Sequence, residues 1–116
     1  MIEVLTILNN EMEKLNIPYT FDGWDNEVEL PQFIGELSET PTNDEDGKSE
    51  YTFILTGYAT NYTELFAISE QLKNKYKTSA IVDGIVIKYD NTTPIDNGTD
   101  DLKQIQINMT IKKWSV

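Results

Sequence analysis

The residues that most constrain the fold lie near the end of the chain, where apolar and polar side chains alternate. A strand places successive side chains on opposite faces of a sheet. The apolar set would share one face, and it comprises Ile105, Ile107, Met109 and Ile111. The polar set would share the other face, and it comprises Gln104, Gln106, Asn108, Thr110 and Lys112. This pattern predicts an antiparallel strand with one buried face and one face open to solvent.

Two segments have apolar residues three and four positions apart, which predicts two amphipathic helices. The first helix is expected at about 2–15, ending before Pro18, with its apolar stripe at Leu5, Leu8, Met12 and Leu15. The second is expected at about 62–77, with its stripe at Leu65, Ile68, Leu72 and Tyr76. Asn61 is placed to cap the second helix.

Strand patterns fill the segments between and after the helices. An interrupted strand is expected at 27–38, with Pro31 at a bulge or an edge, and its partner at 51–59. A long polar loop at 38–50 would join them. The segment 80–89 is also rich in β-forming residues, and Asp83-Gly84 within it is either a hairpin turn or a kink in one longer strand.

A second polar loop is expected at 90–102, before the final strand. The order of elements is then helix, hairpin, helix, hairpin. The simplest arrangement is a single α+β domain over residues 1–116, with one antiparallel sheet of about four strands. Both helices would cover one face of that sheet.

The side chains that the chain lacks limit its chemistry. The sequence contains no histidine and no cysteine, and all nine basic residues are lysines. Imidazole and thiolate nucleophile systems, thiolate metal sites and disulfides are therefore excluded. Arginine clamps for phosphate are excluded as well. These gaps predict a protein that acts by binding and assembly, with no enzymatic activity and no cofactor.

The charge balance argues against nucleic-acid binding. The formal net charge is −11 and the sequence pI is about 4.2, so the chain would repel a polyanion. Three interpretations of the acidity stay open: solubility, repulsion of DNA in a conduit, and imitation of DNA. The sequence has no apolar run long enough to span a bilayer and no secretory signal pattern, so a soluble protein made in a cytoplasm is expected.

Carboxylates concentrate in the two predicted loops, which makes these loops candidate docking or channel-lining surfaces. The candidate residues are Glu39, Asp44, Glu45, Asp46, Asp96, Asp100 and Asp101. The spacing around Gly47 does not fit a calcium-binding loop, because Phe53 would occupy the position that needs a bidentate glutamate, so no metal site is expected. Trp24 and Trp114 lie outside the apolar stripes and are candidate subunit contacts.

The whole pattern resembles the tail-terminator, or tail-completion, proteins of long-tailed phages and prophages. The resemblance rests on a short first helix leading through Ile17-Pro18-Tyr19, the segments 30–37 and 51–58, the helix beginning at Tyr62, and a closing pair of strands. It implies a structural virion protein that forms a ring, commonly a hexamer. It also implies that the ring caps the tail tube and joins it to the head connector, after assembly in the bacterial cytoplasm.

Two other classes compete with this interpretation. An acidic DNA mimic that inhibits a DNA-binding protein would need carboxylates spaced like phosphates along an elongated face. An enzyme would need a pocket with a carboxyl of raised pKa. The clustering of acids in two loops favours the tail protein over both.

Overall fold

The structure, a computed structural model, describes residues 2–21, 30–40, 48–95 and 102–114, apart from the side chains of Lys48 and Trp114. The described elements are α1 (Ile2–Lys14), β1 (Tyr19–Phe21), β2 (Gln32–Thr40), β3 (Lys48–Ala59), α2 (Tyr62–Tyr76), β4 (Ala80–Val82), β5 (Ile85–Ile95) and β6 (Lys103–Trp114). The α+β class, the two helices and the single sheet predicted from the sequence are confirmed.

The sheet has six strands in the order β1-β2-β3-β6-β5-β4. β1 runs parallel to β2, whereas every other neighbouring pair is antiparallel. The prediction of about four antiparallel strands is therefore partly wrong. β1 and β4 have three residues each, which is too short to show a period of two in the sequence.

The strands extend further into the predicted loops than expected. Glu39, assigned above to a loop, lies in β2 opposite Tyr51. β5 continues through a bulge between Tyr89 and Asn91 as far as Ile95. The sequence does not predict these extensions, because their residues are mostly polar and none of their side chains is buried. Pro94 is tolerated because β4 pairs only with residues 85–87, so β5 is the outer described strand at Pro94.

Asp83-Gly84 is the turn of a two-residue hairpin between β4 and β5, which selects one of the two alternatives. Val82 faces Ile85 across the turn, and φ is 49° at Asp83 and 88° at Gly84. Two positive φ angles are the signature of the turn type that matches the twist of a tight hairpin. Glycine accommodates the second of these angles without steric cost.

The core lies between the helices and one face of the sheet. Apolar residues of the central strands alternate between buried and half-buried, and the buried ones join both helices in one cluster. α2 buries Leu65, Leu72 and Tyr76, as predicted. α1 buries Val4, Ile7, Leu8, Glu11 and Met12, so the predicted stripe is rotated and Leu5 lies at its margin.

Two glycines make room for aromatic rings within this core. A Cβ at Gly57 would lie 2.4 Å from the ring of Phe33, and one at Gly35 would lie 2.5 Å from the ring of Tyr19. Both distances are far shorter than an ordinary contact between carbon atoms. The rings therefore lie directly over the strand backbone, and Tyr19 meets Phe53 edge to face.

Candidate functional surfaces

The structure describes only two of the predicted site residues, Glu39 and Trp114. Glu39 is exposed near the end of β2, and Trp114 is the last residue of β6. The other candidates lie outside the described residues: Trp24, Asp44, Glu45, Asp46, Asp96, Asp100 and Asp101.

The strand register nevertheless fixes where the two acidic segments join the fold. Residues 41–47 follow Thr40, which lies beside Glu50 at one end of the sheet. Residues 96–101 follow Ile95, which pairs with Gln104 at the opposite end. β3 and β6 each span twelve residues, which is roughly 40 Å of extended chain. The two acidic segments therefore attach to opposite ends of the molecule.

The face of the sheet opposite the helices is polar and half-exposed in its central strands. Its side chains contact one another across strands: Thr110 donates to Asp90, and Asn108 donates to the Asn91 oxygen at 2.8 Å. Gln106 donates in turn to Asn108 at 3.3 Å. No described helix covers this face, which agrees with the single open face predicted from the alternation in β6.

The described strands cover each edge of the sheet over only part of its length. β1 faces residues 33–35 of β2, and among the described strands none pairs with the outer side of 36–40. Four of these five residues are exposed: Glu36, Ser38, Glu39 and Thr40. At the opposite edge, β4 covers residues 85–87 of β5.

A buried carboxylate joins the two helices, and no sequence pattern singled it out beforehand. The Glu11 residue is only 2% exposed. Its Oε1 accepts a hydrogen bond from the Tyr76 hydroxyl at 2.6 Å and lies 3.1 Å from Lys75 Nζ. Its Oε2 lies 3.1 Å from Lys14 Nζ. α1 is thus fastened to the C-terminal turn of α2 by one side chain.

The surroundings of Glu11 keep it ionised. Burial alone would raise its pKa, but the hydrogen bonds from Tyr76, Lys14 and Lys75 outweigh burial and hold the pKa of its carboxyl below the ordinary value. Burial, together with the neighbouring Glu11, raises the pKa of the Tyr76 hydroxyl. A general acid needs the opposite shift, a raised carboxyl pKa. The geometry therefore assigns Glu11 a structural role.

The helical spacing contains the signal that would have located Glu11. Glu11 follows Ile7 by four residues and Leu8 by three, so it falls on the face that those two residues bury. A carboxylate at this position is ordinarily expected on a solvent face, because glutamate is seldom fully buried unless it is paired. Only the fold shows that a tyrosine and two lysines satisfy it there.

A hollow of about 400 Å³ lies beside the C-terminal half of α1. It is lined by Asn9, Glu13, Ile17, Tyr19 and Phe21. The side-chain oxygens of Asn9 and Tyr19 are buried without a hydrogen-bond partner. Burial raises the pKa of the Tyr19 hydroxyl. The Tyr19 hydroxyl lies over Gly35, however, which directs it at the sheet.

The described residues contain no cluster of three acidic, histidine or cysteine side chains that could hold a metal ion. No helix in the described ranges is long and apolar enough to cross a membrane. Comparison with protein-family models, with curated proteins and with solved structures finds no match.

Proposed function

We propose that this protein is a structural component of a phage tail that assembles into a ring, caps the tail tube and joins it to the head connector. It would act in the virion after assembly in the bacterial cytoplasm. The observation that carries the proposal is the attachment of the two acidic segments at opposite ends of a long sheet. A joining ring needs two distinct docking surfaces facing in opposite directions, and acidic segments that leave the sheet at opposite ends support this function.

The charge supports the same function. A net charge of −11 would discourage DNA from adhering to the inner wall of a ring during its passage. Glu36 and Glu39 contribute part of this charge from an exposed strand edge. Subunits of a ring also need lateral contacts, and partly covered sheet edges are suited to them.

The one fully buried carboxylate of the described residues gives the enzyme hypothesis no support, because its three donors keep it ionised. A DNA mimic would need an unbroken acidic stripe. In the described residues the exposed acids are interspersed with Lys14, Lys73 and Lys77, which favours the ring over the mimic.

The experiment is native mass spectrometry of the purified protein, with negative-stain electron microscopy of the same sample. We expect closed particles whose mass is a small multiple of 13.3 kDa, commonly six, with a central hole. Added to purified tail tubes, these particles should bind at one tube end. A monomer that competes with DNA for a nuclease would contradict the proposal and favour the mimic.

A further inference from the structure

The part of β2 that no described strand covers presents backbone groups that can pair with another strand. The Phe33 N–H donates to the Pro18 carbonyl at 2.7 Å, which lies on the β1 side of β2. Alternate residues of a strand direct their N–H and C=O groups to the same side. Leu37 and Glu39 therefore direct theirs to the outer side of β2, beyond the end of β1.

β4 presents the matching groups at the opposite edge. In a two-residue hairpin the residues flanking the turn, here Val82 and Ile85, exchange hydrogen bonds. The next residue, Ile81, then directs its N–H and C=O away from β5. Its side chain is 80% exposed, although isoleucine is among the residues most often found inside proteins.

The two edges, β4 and the end of β2, lie at the same level along the strand direction. Ala80 pairs with Ile87, which pairs with Ile111. Ile111 pairs with Tyr51, and Tyr51 pairs with Glu39. Ala80 and Glu39 therefore lie on one row that crosses the sheet. A second copy placed beside the first, without a shift along the strands, would bring its β4 next to Glu39, clear of β1.

Charge favours this head-to-tail contact over pairing of β2 with itself. An antiparallel pair of β2 edges would place the Glu39 side chains of both copies on the same face, opposite or diagonal to each other, and like charges across strands are destabilising. β4 is apolar, and α2 ends just before it with the exposed residues Lys73 and Lys77. A glutamate edge of one copy would thus meet an apolar strand flanked by lysines.

The exposed stretch of β5 is a poorer partner. It contains the bulge at Asp90, between Tyr89 and Asn91, and it contains Pro94. Both features discourage the addition of a strand at an edge. The described part of β2 outside β1 contains neither a bulge nor a proline.

We propose that β4 of one copy pairs with the end of β2, at Glu39 and Thr40, in the next copy, so that the chain assembles head to tail through these two edges. This rests on the proposed function, because a closed series of such contacts makes a ring. The contact is heterologous: each copy uses two different surfaces, and blocking one leaves the other intact.

Two proline variants test the contact. Glu39→Pro and Ile81→Pro each remove an outward N–H and retain the hydrogen bonds to β3 and β5. Glu39→Thr and Ile81→Thr are the matched controls, since each changes the same side chain and keeps the N–H. Circular dichroism checks that every variant is folded, and analytical ultracentrifugation measures its mass.

We expect each proline variant to sediment as a 13.3-kDa monomer at concentrations where the wild type and both controls assemble. An equimolar mixture of the two proline variants should form a species of twice that mass and nothing larger. Only a head-to-tail contact predicts this, because the intact β4 edge of one variant meets the intact β2 edge of the other. A mixture that stays monomeric would overturn the proposal.

A charge reversal gives a second test if a proline variant fails to fold. Glu39→Lys should weaken assembly by at least about tenfold in dissociation constant, because it places a positive charge near Lys73 and Lys77. If β2 instead paired with itself, a mixture of this variant with the wild type would associate more tightly than either protein alone, because the introduced ammonium group would lie on the same face as Glu39 of the wild-type copy.

The outcomes of these experiments distinguish failure of the edge contact from failure of the proposed ring. A wild-type ring that every edge variant also forms would overturn the contact and leave the ring standing. Open filaments that the prolines abolish would support the contact and remove the ring. A wild type that is monomeric up to about 1 mM, the weak end of specific association, would overturn both.

Discussion

Replacing Glu11 with glutamine tests whether its charge holds the two helices together. The substitution keeps the size of the side chain and an oxygen that can accept from the Tyr76 hydroxyl. It removes the negative charge that Lys14 and Lys75 contact at 3.1 Å. It also brings an amide N–H₂ group into a site whose three known neighbours are all hydrogen-bond donors.

The expected loss is about 2 kcal/mol in the free energy of unfolding at pH 7. A hydrogen bond to a charged group contributes about 1.5–3 kcal/mol and a neutral one about 1 kcal/mol, so the Tyr76 bond accounts for about 1 kcal/mol of the loss. The side chains of Lys14 and Lys75 are 63% and 36% exposed and regain water. Each lysine contact therefore adds less than about 1 kcal/mol.

The difference should depend on pH with a defined sign. The pKa of Glu11 is lowered in the folded protein, so its contribution is complete above the ordinary carboxyl pKa of about 4.3. That contribution is lost as the pH falls through the lower folded pKa. Urea unfolding at several pH values should show the two proteins converging in stability below about pH 4.

Tyr76→Phe is the matched control, and the double variant completes a mutant cycle. The two changes should be non-additive by about 1 kcal/mol, because they remove one shared hydrogen bond. Glu11→Gln unfolding with wild-type stability at pH 7, or a difference that does not change between pH 7 and pH 3, would refute the charge argument.

Three further substitutions test a close packing contact, a helix cap and a buried hydrogen bond. Gly57→Ala should cost about 1–3 kcal/mol, measured by urea unfolding, because its Cβ would meet the Phe33 ring at 2.4 Å. Asn61→Ala should cost about 1 kcal/mol through loss of the α2 cap, and Asn61→Asp should restore it. Ser69→Ala should cost about 1 kcal/mol, because the buried Ser69 hydroxyl bonds to Thr92 at 2.6 Å; a thermal melt unchanged within error would contradict that contact.

The sequence predicted the helices and strands that are long enough to show a regular spacing of apolar residues. The α2 stripe, the Asn61 cap and the one-sided β6 follow from spacing alone, and the structure confirms them. β1 was missed because three residues cannot display a period, and because its pairing partner is set by the fold. The end of β5 was missed because the bulge at Asp90 shifts the alternation by one residue.

The candidate surfaces were also only partly predictable from the sequence. Clusters of acids are visible in a sequence, but their positions at opposite ends of the sheet depend on strand register. The charge of Glu11 suggested solvent, since an isolated carboxylate is costly to bury. The three donors that reverse this expectation come from both helices, and Tyr76 is far from Glu11 in the chain.

The central place of β6 has a consequence for how the chain reaches its native state. β3 and β5 both hydrogen-bond to β6, yet β6 comes last in chain order among the described strands. During synthesis, therefore, two parts of an incomplete sheet present unpaired edges until residues 103–114 are available. Pairings of such sequence separation close slowly, so this interval is when premature aggregation or chaperone capture would compete with folding.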